Sequence, residues 1–270
     1  MTELTATQEA LVRRIAMTSV GLLVQTGIDE DFSGFVAAGS GVVCKLPKGT
    51  VVILTAGHVA EHLLAQELGG VYGVPSANPN ARPLQFLTKH TDHISFSGGA
   101  GTSHGPDIAV LKLPPNINAW LESGRICYDI KTRMENRIRE DENFQDTVIV
   151  GLPSTAYSRF VSQIGDTRRD EHVLMVAPGA ISNGQTDDEG FDRFEYFCEH
   201  GDTGPETYQG VSGGGVWTFN GDDGTVLPRL AGIAYYQSDA TESGERVIHC
   251  AGPKSVYAKV LQAAAERWEP

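Results

Sequence analysis

The sequence predicts an all-β protein, built as a sandwich or as barrels, with one helix at each end of the chain. Short apolar runs rich in β-branched residues recur along the chain, and glycine, proline, asparagine or aspartate residues separate them. Many short strands divided by turn signals are typical of β-sandwiches and β-barrels. The runs predict strands at residues 18–25, 35–45, 51–55, 108–113, 147–152, 172–176, 211–219, 230–235 and 246–250.

Helical patterns flank the predicted strands. Residues 5–16 open with a Thr-x-x-Gln capping box and place large aliphatic side chains on one face. Residues 255–267 repeat apolar side chains at helical spacing. Two other stretches, 69–105 and 114–146, are rich in glycine and proline or in charged residues. We expect loops or insertions there, the second of them partly helical.

The charge of the chain bears on its partners. Its 270 residues include 21 Lys+Arg and 34 Asp+Glu, which gives a formal net charge of −13. An acidic balance without clustering argues against a nucleic-acid partner and against an anionic membrane surface. No apolar run approaches the roughly 20 residues of a transmembrane helix, and no basic start leads into an apolar segment. We therefore expect a cytoplasmic protein that binds neither nucleic acid nor membrane.

The cysteines point to the same compartment. The four cysteines are widely spaced and form no C-x-x-C pair, so zinc-ribbon and thioredoxin patterns are absent from the sequence. We expect free thiols in a reducing environment.

Three short motifs contain residue types that act together in nucleophilic catalysis. His58 ends a Leu-Thr-Ala-Gly-His motif, Asp107 begins the apolar run Asp-Ile-Ala-Val-Leu, and Ser212 lies in a Gln-Gly-Val-Ser-Gly-Gly-Gly turn. A serine hydroxyl needs an imidazole to accept its proton, and the imidazole needs a carboxylate to fix its tautomer. Because glycines let the backbone turn tightly, the amides of Gly210 and Ser212 can point at one spot as an oxyanion hole.

In these motifs the chain resembles the trypsin/chymotrypsin-like serine proteases, and their bacterial-type members in particular. The resemblance covers about residues 19–268 and keeps the family order of histidine, aspartate and serine. It implies two antiparallel β-barrels with the site between them. It gives His58, Asp107 and Ser212 the roles of general base, orienting acid and nucleophile, and it implies no metal or organic cofactor.

The resemblance also divides the chain into segments. Residues 1–17 form a helical extension, and residues 18–125 form the first barrel, which carries His58 and Asp107. Residues 126–145 connect it to a second barrel at residues 146–252, which carries Ser212. The last segment, residues 253–270, is the C-terminal helix.

The sequence departs from the secreted members of the family near the serine. Val211 stands where zymogen-type relatives have an aspartate that pairs with a new N-terminus, so activation by that ion pair is not implied. Tyr235 stands where many relatives have a serine that supports the acid, and Gln237 where they have a glycine that lines the specificity pocket. A glutamine at that position narrows the way in for a bulky substrate side chain.

The substrate pocket is the part of the site that the resemblance describes least specifically. Glu206 takes the position of an acidic pocket floor, which favours arginine or lysine in the substrate, unless it is an ordinary surface-loop glutamate. Gln237 and Ser255 are expected to line the walls of the same pocket.

Two other enzyme classes match short patterns in the chain. His58 to His62 read H-x-x-E-H, the inverted zinc-peptidase motif, which needs a long helix and a further carboxylate from another helix. The turn at Ser212 also fits the G-x-S-x-G elbow of α/β-hydrolases, whose acid and histidine follow the serine, as Asp239 and His249 do here. Both motifs lack their usual context, because predicted strands rather than long helices surround them.

The sequence thus predicts a serine endopeptidase that cleaves a protein or peptide substrate through an acyl-enzyme intermediate. One alternative is a latent protease that a regulatory protein partner opens. Another is a catalytically silent binding module of the same fold.

Overall fold

The fold is mostly β-structure, with one closed six-stranded barrel, one curled sheet and helices at both ends. The predicted all-β class with two barrel-like units between terminal helices is confirmed. The computed structural model describes residues 5–25, 35–73, 83–97, 106–135, 146–153, 157–161, 168–172, 175–182, 184–198, 208–220, 227–238 and 246–270.

The N-terminal unit is a curled sheet. Its main strands are β1 (Ser19–Gln25), β2 (Phe35–Lys45), β3 (Val51–Thr55), β4 (Leu68–Gly73), β5 (Leu84–Leu87), β6 (Asp92–Ser97) and β7 (Asp107–Lys112), in the order β5-β4-β1-β2-β3-β7-β6. A short strand, β8 (Tyr128–Asp129), pairs with β2 in parallel. Within the described residues β5 and β6 do not pair with each other. The expected first barrel is therefore an open half-barrel in this part of the chain.

The C-terminal unit is a closed barrel. Its strands are β9 (Asp146–Gly151), β12 (Met175–Ile181), β14 (Asp192–Cys198), β15 (Gly215–Phe219), β16 (Arg229–Gln237) and β17 (Arg246–Ala251). They pair in the order β12-β9-β15-β16-β17-β14, and β14 returns to pair with β12. Two further strands, β10 (Tyr157–Val161) and β11 (Arg168–His172), form a separate hairpin, and the short β13 (Gln185–Thr186) adds to β14.

Five α-helices join or flank the sheets in the described part of the chain. They are α1 (Ala6–Thr18), α2 (Gly57–Leu64), α3 (Pro115–Gly124), α4 (Ile130–Glu135) and α5 (Gln262–Trp268), the last continuing a π-helix at Lys254–Leu261. The predicted capping box is present, because the Gln8 amide donates to the Thr5 hydroxyl and the Thr5 amide donates to the Gln8 side chain. Both terminal helices and the partly helical connection are confirmed.

Several strands differ from the sequence prediction. The stretch at 69–105, expected as a loop, contains nearly all of β4 and the whole of β5 and β6. These strands are short and interrupted by glycine or polar residues, so they show no clear apolar run. The predicted strand at 211–219 begins only at Gly215, because residues 211–214 form a turn. β14 was missed, although its first half alternates the polar Arg193 and Glu195 with the buried Phe194 and Tyr196, a pattern typical of a half-buried strand.

The buried core joins the two units. One apolar cluster contains Leu54 and Val110 from the curled sheet together with Trp217 and Tyr235 from the barrel. A second cluster fills the closed barrel and includes Tyr196. Burial of this kind contributes roughly 25 cal/mol for each Å² of apolar surface removed from water. The two units are therefore held together by a shared core.

The C-terminal helical segment begins on the closed barrel. The carboxylate of Asp192, on β14, accepts hydrogen bonds from the Lys254 amide (3.0 Å) and the Ser255 amide (2.7 Å). These are amides of the first helical turn, which have no partner inside a helix, so Asp192 caps the helix from a neighbouring strand.

The same segment ends on the curled sheet. Asp92, at the start of β6, accepts bonds from the side chains of Arg267 (2.6 Å) and Trp268 (2.8 Å). The carboxylate of Glu269 accepts bonds from the amides of Lys48 (2.8 Å) and Thr50 (2.7 Å) in the β2–β3 turn. The segment thus ties the closed barrel to the curled sheet.

All four cysteines are free thiols. Burial raises the pKa of Cys44 and Cys250 well above the ordinary thiol value, and it raises the pKa of Cys198 to about 11. None of the helices in the described ranges is long and apolar enough to cross a lipid bilayer.

Candidate active site

His58 and Asp107 meet directly where the curled sheet faces the barrel. Asp107 is the first residue of β7, and His58 lies in the first turn of α2, just after β3. One carboxylate oxygen of Asp107 lies 2.7 Å from His58 Nδ1, and the other accepts the backbone amide of His58 at 2.8 Å. Asp107 is 3% exposed, whereas the His58 ring is partly exposed. This geometry fixes the ring, gives Nδ1 the proton and leaves Nε2 as the nitrogen that can accept one.

Gly57 makes room for this pair. A Cβ atom at position 57 would lie 2.6 Å from Asp107 Oδ1 and 3.3 Å from the hydroxyl oxygen of Ser95. Two heavy atoms do not approach to 2.6 Å without displacement unless they share a hydrogen bond, so a side chain at position 57 would push the carboxylate away. The glycine before the histidine is thus a steric requirement of the pair.

Ser212 lies in a tight turn between Tyr208 and β15. Gly210 and Gly213 have φ values of 91° and 87°, a region that favours glycine. The Gly213 amide donates to the carbonyl of Ala234 on β16 (2.7 Å), and the Gly214 amide donates to the carbonyl of Val211 (2.7 Å). The glycine-rich motif therefore forms a turn whose shape depends on its glycines.

The curled sheet holds this turn in place through Ser40 of β2. The Ser40 amide donates to the carbonyl of Ser212 (2.7 Å), and its hydroxyl donates to the carbonyl of Gly210 (2.9 Å). The same hydroxyl accepts the amide of Leu152 at 2.7 Å. One buried serine thus links both sides of the Ser212 turn to the half that carries His58 and Asp107.

Contacts at Gly39 bring the Ser212 turn close to α2. A Cβ atom on Gly39 would lie 2.6 Å from a methyl group of Val59 and 2.8 Å from the carbonyl oxygen of Ser212. Val59 follows His58 directly, so the serine turn and the histidine helix meet across Gly39. The turn that carries Ser212 and the helix that carries His58 thus come together from two halves of the chain.

The Ser212 hydroxyl has one hydrogen-bond partner among the described residues. It lies 3.4 Å from the carbonyl oxygen of Tyr235, and in that part of the chain it makes no hydrogen bond to His58. Long or poorly aligned bonds between nucleophile and base are common in proteins without bound substrate. Among the described residues His58 and Asp107 are therefore bonded to each other, whereas the Ser212 hydroxyl is bonded to the Tyr235 carbonyl.

The oxyanion donors that the sequence predicts are two backbone amides of the Ser212 turn. Among the hydrogen bonds of the described residues, the amides of Gly210 and Ser212 donate to no acceptor, although their neighbours Val211 and Gly213 both donate. A partly exposed turn with two unengaged amides is a suitable place for a developing negative charge.

Tyr235 lies beside the acid. Its side chain is 2% exposed, and burial raises its pKa to about 12, so it stays a neutral phenol at physiological pH. Its ring also packs near His249, with 6.5 Å between the ring centroids. Tyr235 therefore adds no charge beside the pair of His58 and Asp107.

The expected substrate residues lie in different places. Glu206 lies outside the described residues. Gln237 is next to the site, where its Oε1 accepts the backbone amide of Tyr208 at 2.9 Å. Ser255 is 1% exposed at the start of the C-terminal helical segment, and its hydroxyl is bonded to Asp192. β17 ends at Ala251 and the helical segment begins at Lys254, so Ser255 lies in the first helical turn. Its bonds to Asp192 therefore stabilise the start of that segment.

The two alternative motifs have unfavourable surroundings. His58, Glu61 and His62 share α2, a helix of eight residues, and His58 Nδ1 is occupied by Asp107. Among the described residues no group of three or more histidine, cysteine, aspartate or glutamate side chains is arranged to hold a metal ion. Ser212 is followed by a strand rather than by the helix of an α/β-hydrolase elbow. Asp239 lies outside the described residues, and His249 is bonded to Ser238.

Sequence reasoning missed Ser40. Its hydroxyl contacts Gly210, which is 170 residues away in the chain, and nothing in a single sequence connects the two. The only local signal was its place between two glycines in a strand that precedes the histidine motif. A scan against models of known protein families matches no family, and a search of curated proteins finds no match to this chain.

Proposed function

We propose that this chain is a trypsin-like serine endopeptidase that uses Ser212, His58 and Asp107. The observation that carries the proposal is the double contact of one buried carboxylate with His58, at the ring and at the backbone amide. Next to the helix of His58 lies a glycine-rich serine turn, in which the amides of Gly210 and Ser212 donate to no acceptor among the described residues. A chance contact of a surface histidine would not require a buried carboxylate that bonds both to the ring and to the backbone amide of that histidine.

The chemistry follows from these positions. Ser212 Oγ attacks the scissile carbonyl carbon while His58 Nε2 accepts the hydroxyl proton, and Asp107 stabilises the imidazolium that forms. The amides of Gly210 and Ser212 donate to the negative oxygen of the tetrahedral intermediate. The intermediate collapses as His58 gives its proton to the leaving amine, and water then hydrolyses the acyl-enzyme by the same steps.

The edge of β16 suggests how a peptide would bind. Ala234 exchanges hydrogen bonds with the Ser212 turn, at Gly213 and Gly214, and beyond it no described strand covers this edge. The Tyr235 carbonyl faces the Ser212 hydroxyl, while the Ser238 amide turns the other way to bond Val247. Because backbone groups alternate along a strand, Gln237 presents its amide and carbonyl on the same edge as the Tyr235 carbonyl. An extended peptide that adds to this edge as a further strand places its scissile carbonyl near Ser212.

The test is cleavage of an unfolded protein substrate such as reduced casein, followed by mass spectrometry of the fragments. We expect cleavage by the natural chain and none by Ser212→Ala or His58→Ala. Asp107→Asn should reduce the rate on the order of 10³- to 10⁴-fold, because the ring loses its fixed tautomer. Cleavage that persists at the natural rate in Ser212→Ala contradicts the proposal.

A latent protease is the second candidate function, and one observation favours it. The Ser212 hydroxyl lies next to the Tyr235 carbonyl instead of being bonded to His58. In a latent enzyme a partner or ligand would turn this hydroxyl toward the ring. Latency predicts that the isolated chain cleaves slowly and that adding a cell extract accelerates the cleavage. The same extract added to Ser212→Ala should cause no such increase. Full cleavage by the isolated chain excludes latency.

A further inference from the structure

Two backbone segments flank Ser212 on the side where a substrate side chain would enter. One is Tyr208–Ser212, and the other is the end of β16, Tyr235–Gln237. We call the gap between them the mouth. A peptide lying along the free edge of β16, with its carbonyl at Ser212, directs the side chain before the scissile bond into the mouth. The width of the mouth therefore decides which residues can occupy that position.

The side chain of Gln237 crosses the mouth. It begins on one segment and its Oε1 accepts the Tyr208 amide of the other segment, with 2.9 Å between the two atoms. A hydrogen bond at that distance is of ordinary length, and it satisfies the backbone amide of Tyr208. We call this side chain the bar, because it is held at both ends: covalently on β16 and by its hydrogen bond to Tyr208.

Tyr208 holds the far end of the bar. Its side chain is 3% exposed and belongs to the apolar cluster inside the barrel, together with Ala234 and Ile248. Moving this residue would open a void in a packed interior. The bar is therefore attached to a residue that does not yield easily.

We propose that Gln237 determines specificity by closing the mouth to large side chains, so that the enzyme cleaves after glycine, alanine or serine. This inference rests on the proposed function. A hydrogen atom, a methyl group or a hydroxymethyl group fits in front of the bar without moving it. A phenylalanine or arginine side chain must displace Gln237 and leave the Tyr208 amide without its acceptor. The substrate class is therefore small residues, in contrast to the basic residues that an acidic floor at Glu206 favours.

The test uses peptidyl diphenyl phosphonates that differ only at the residue before the reactive phosphorus: alanine, phenylalanine or arginine. Such a probe forms a bond between Ser212 Oγ and phosphorus as phenol leaves with the serine proton, and intact mass gives the labelling rate. For the natural chain we expect alanine to react at least about tenfold faster than either large residue, the discrimination that a restrictive pocket provides. In Gln237→Gly the ratio of the phenylalanine rate to the alanine rate should rise about tenfold.

Two further variants serve as controls. Gln237→Glu keeps the length and the acceptor oxygen of the bar and should retain the preference for alanine. Gln237→Ala removes the bar with less backbone freedom than glycine, and it replaces Gln237→Gly if that variant does not fold. The ratio of the two probe rates is the readout, because a merely destabilised site loses both rates together.

Each result has a distinct meaning. A natural chain that reacts equally fast with phenylalanine or arginine overturns the inference and leaves the proposed function intact. An unchanged probe ratio in Gln237→Gly and Gln237→Ala does the same. If no phosphonate labels Ser212, and a small fluorophosphonate does not label it either, the proposed function fails and this inference fails with it.

Discussion

Asp107 does two things at the residue scale: it orients the His58 ring, and it fixes the start of α2 through the His58 amide. A single carboxylate thus couples the direction of the ring to the position of the helix that carries it. The coupling depends on a glycine at position 57, because any Cβ there meets the carboxylate. The identity of these residues was predictable from short motifs, since the chemistry constrains residue type at each position.

Gly57→Ala should separate the pair. The new Cβ would lie 2.6 Å from Asp107 Oδ1, so the carboxylate has to shift and the ring loses its partner. We expect labelling of Ser212 by a fluorophosphonate to slow by at least about tenfold, which corresponds to about 1.4 kcal/mol of activation free energy. The matched control is Glu61→Ala on the exposed face of the same helix.

Glu61→Ala should label at the natural rate, and a metal chelator should not change that rate. A zinc peptidase built on the H-x-x-E-H pattern requires the opposite, because Glu61 would then be part of the metal site. Natural labelling by Gly57→Ala would show that the steric role assigned to the glycine is wrong.

The Ser212 turn is held at the element scale by bonds to β2. Ser40 bonds to Gly210 and Leu152 through its hydroxyl and to Ser212 through its backbone amide. One residue of the curled sheet thus fixes the turn and the end of β9. The sequence predicted a turn at Ser212 but extended the neighbouring strand back to residue 211. It had no means of predicting what holds the turn, because the bonds run between residues far apart in the chain.

Ser40→Ala should weaken both stability and catalysis. The change leaves the Leu152 amide without its acceptor and the Gly210 carbonyl without its donor, in a buried place. We expect the free energy of unfolding to fall by about 1–3 kcal/mol, and the labelling rate of Ser212 to fall as the amide of Gly210 loses its fixed direction. Urea unfolding and fluorophosphonate labelling measure the two effects.

Ser123→Ala is the control for Ser40→Ala, because it removes an exposed serine hydroxyl that bonds only within its own helix. It should change neither quantity. A Ser40→Ala chain with natural stability and natural labelling would mean that these bonds do not hold the turn.

The last helix has its own dependence on pH through Asp92. Partial burial raises the pKa of Asp92, but hydrogen bonds from Trp268 and from the His93 amide, with the charge of Arg267, lower it below its ordinary value of 3.8. A depressed pKa in the folded state means that the ionised carboxylate adds stability above pH 3.8. That contribution disappears as the pH falls through the folded-state pKa.

Asp92→Asn should therefore be less stable than the natural chain near neutral pH, and the difference should shrink below about pH 4. Urea unfolding of both chains between pH 7 and pH 2.5 gives the difference at each pH, which removes the contribution of the other carboxylates. A difference that stays constant or grows in acid would contradict the assignment. Because Asp92 is partly exposed, the effect should also decrease at high salt.

At the scale of the whole molecule, two sheet units share one core, and both contribute residues to the candidate site. The all-β class followed from the spacing of short apolar runs, and the terminal helices followed from a capping box and from apolar residues at helical spacing. The second barrel was implied only by the resemblance to a known family. The open edge of the curled sheet did not, because β4, β5 and β6 contain glycine and polar residues that hide their pattern. The burial of Ser255 was not predictable either, because it depends on where β17 ends and where the C-terminal helical segment begins.

The buried thiols report on global unfolding. Cys44 and Cys250 are fully buried, one in each unit, and burial raises their pKa far above the ordinary value. We expect an alkylating reagent at pH 8 to leave both unmodified in the native protein and to modify both in urea. Rapid modification of either thiol under native conditions would show that its unit opens locally.

Intact mass after incubation with a fluorophosphonate, followed by mapping of the modified residue, tests the central claim most directly. If Ser212, His58 and Asp107 act together, the natural chain gains one adduct on Ser212, and Ser212→Ala and His58→Ala gain none. An adduct on another residue would contradict the assignment of Ser212. An adduct on Ser212 that forms equally fast in His58→Ala would contradict the role of His58 as its base.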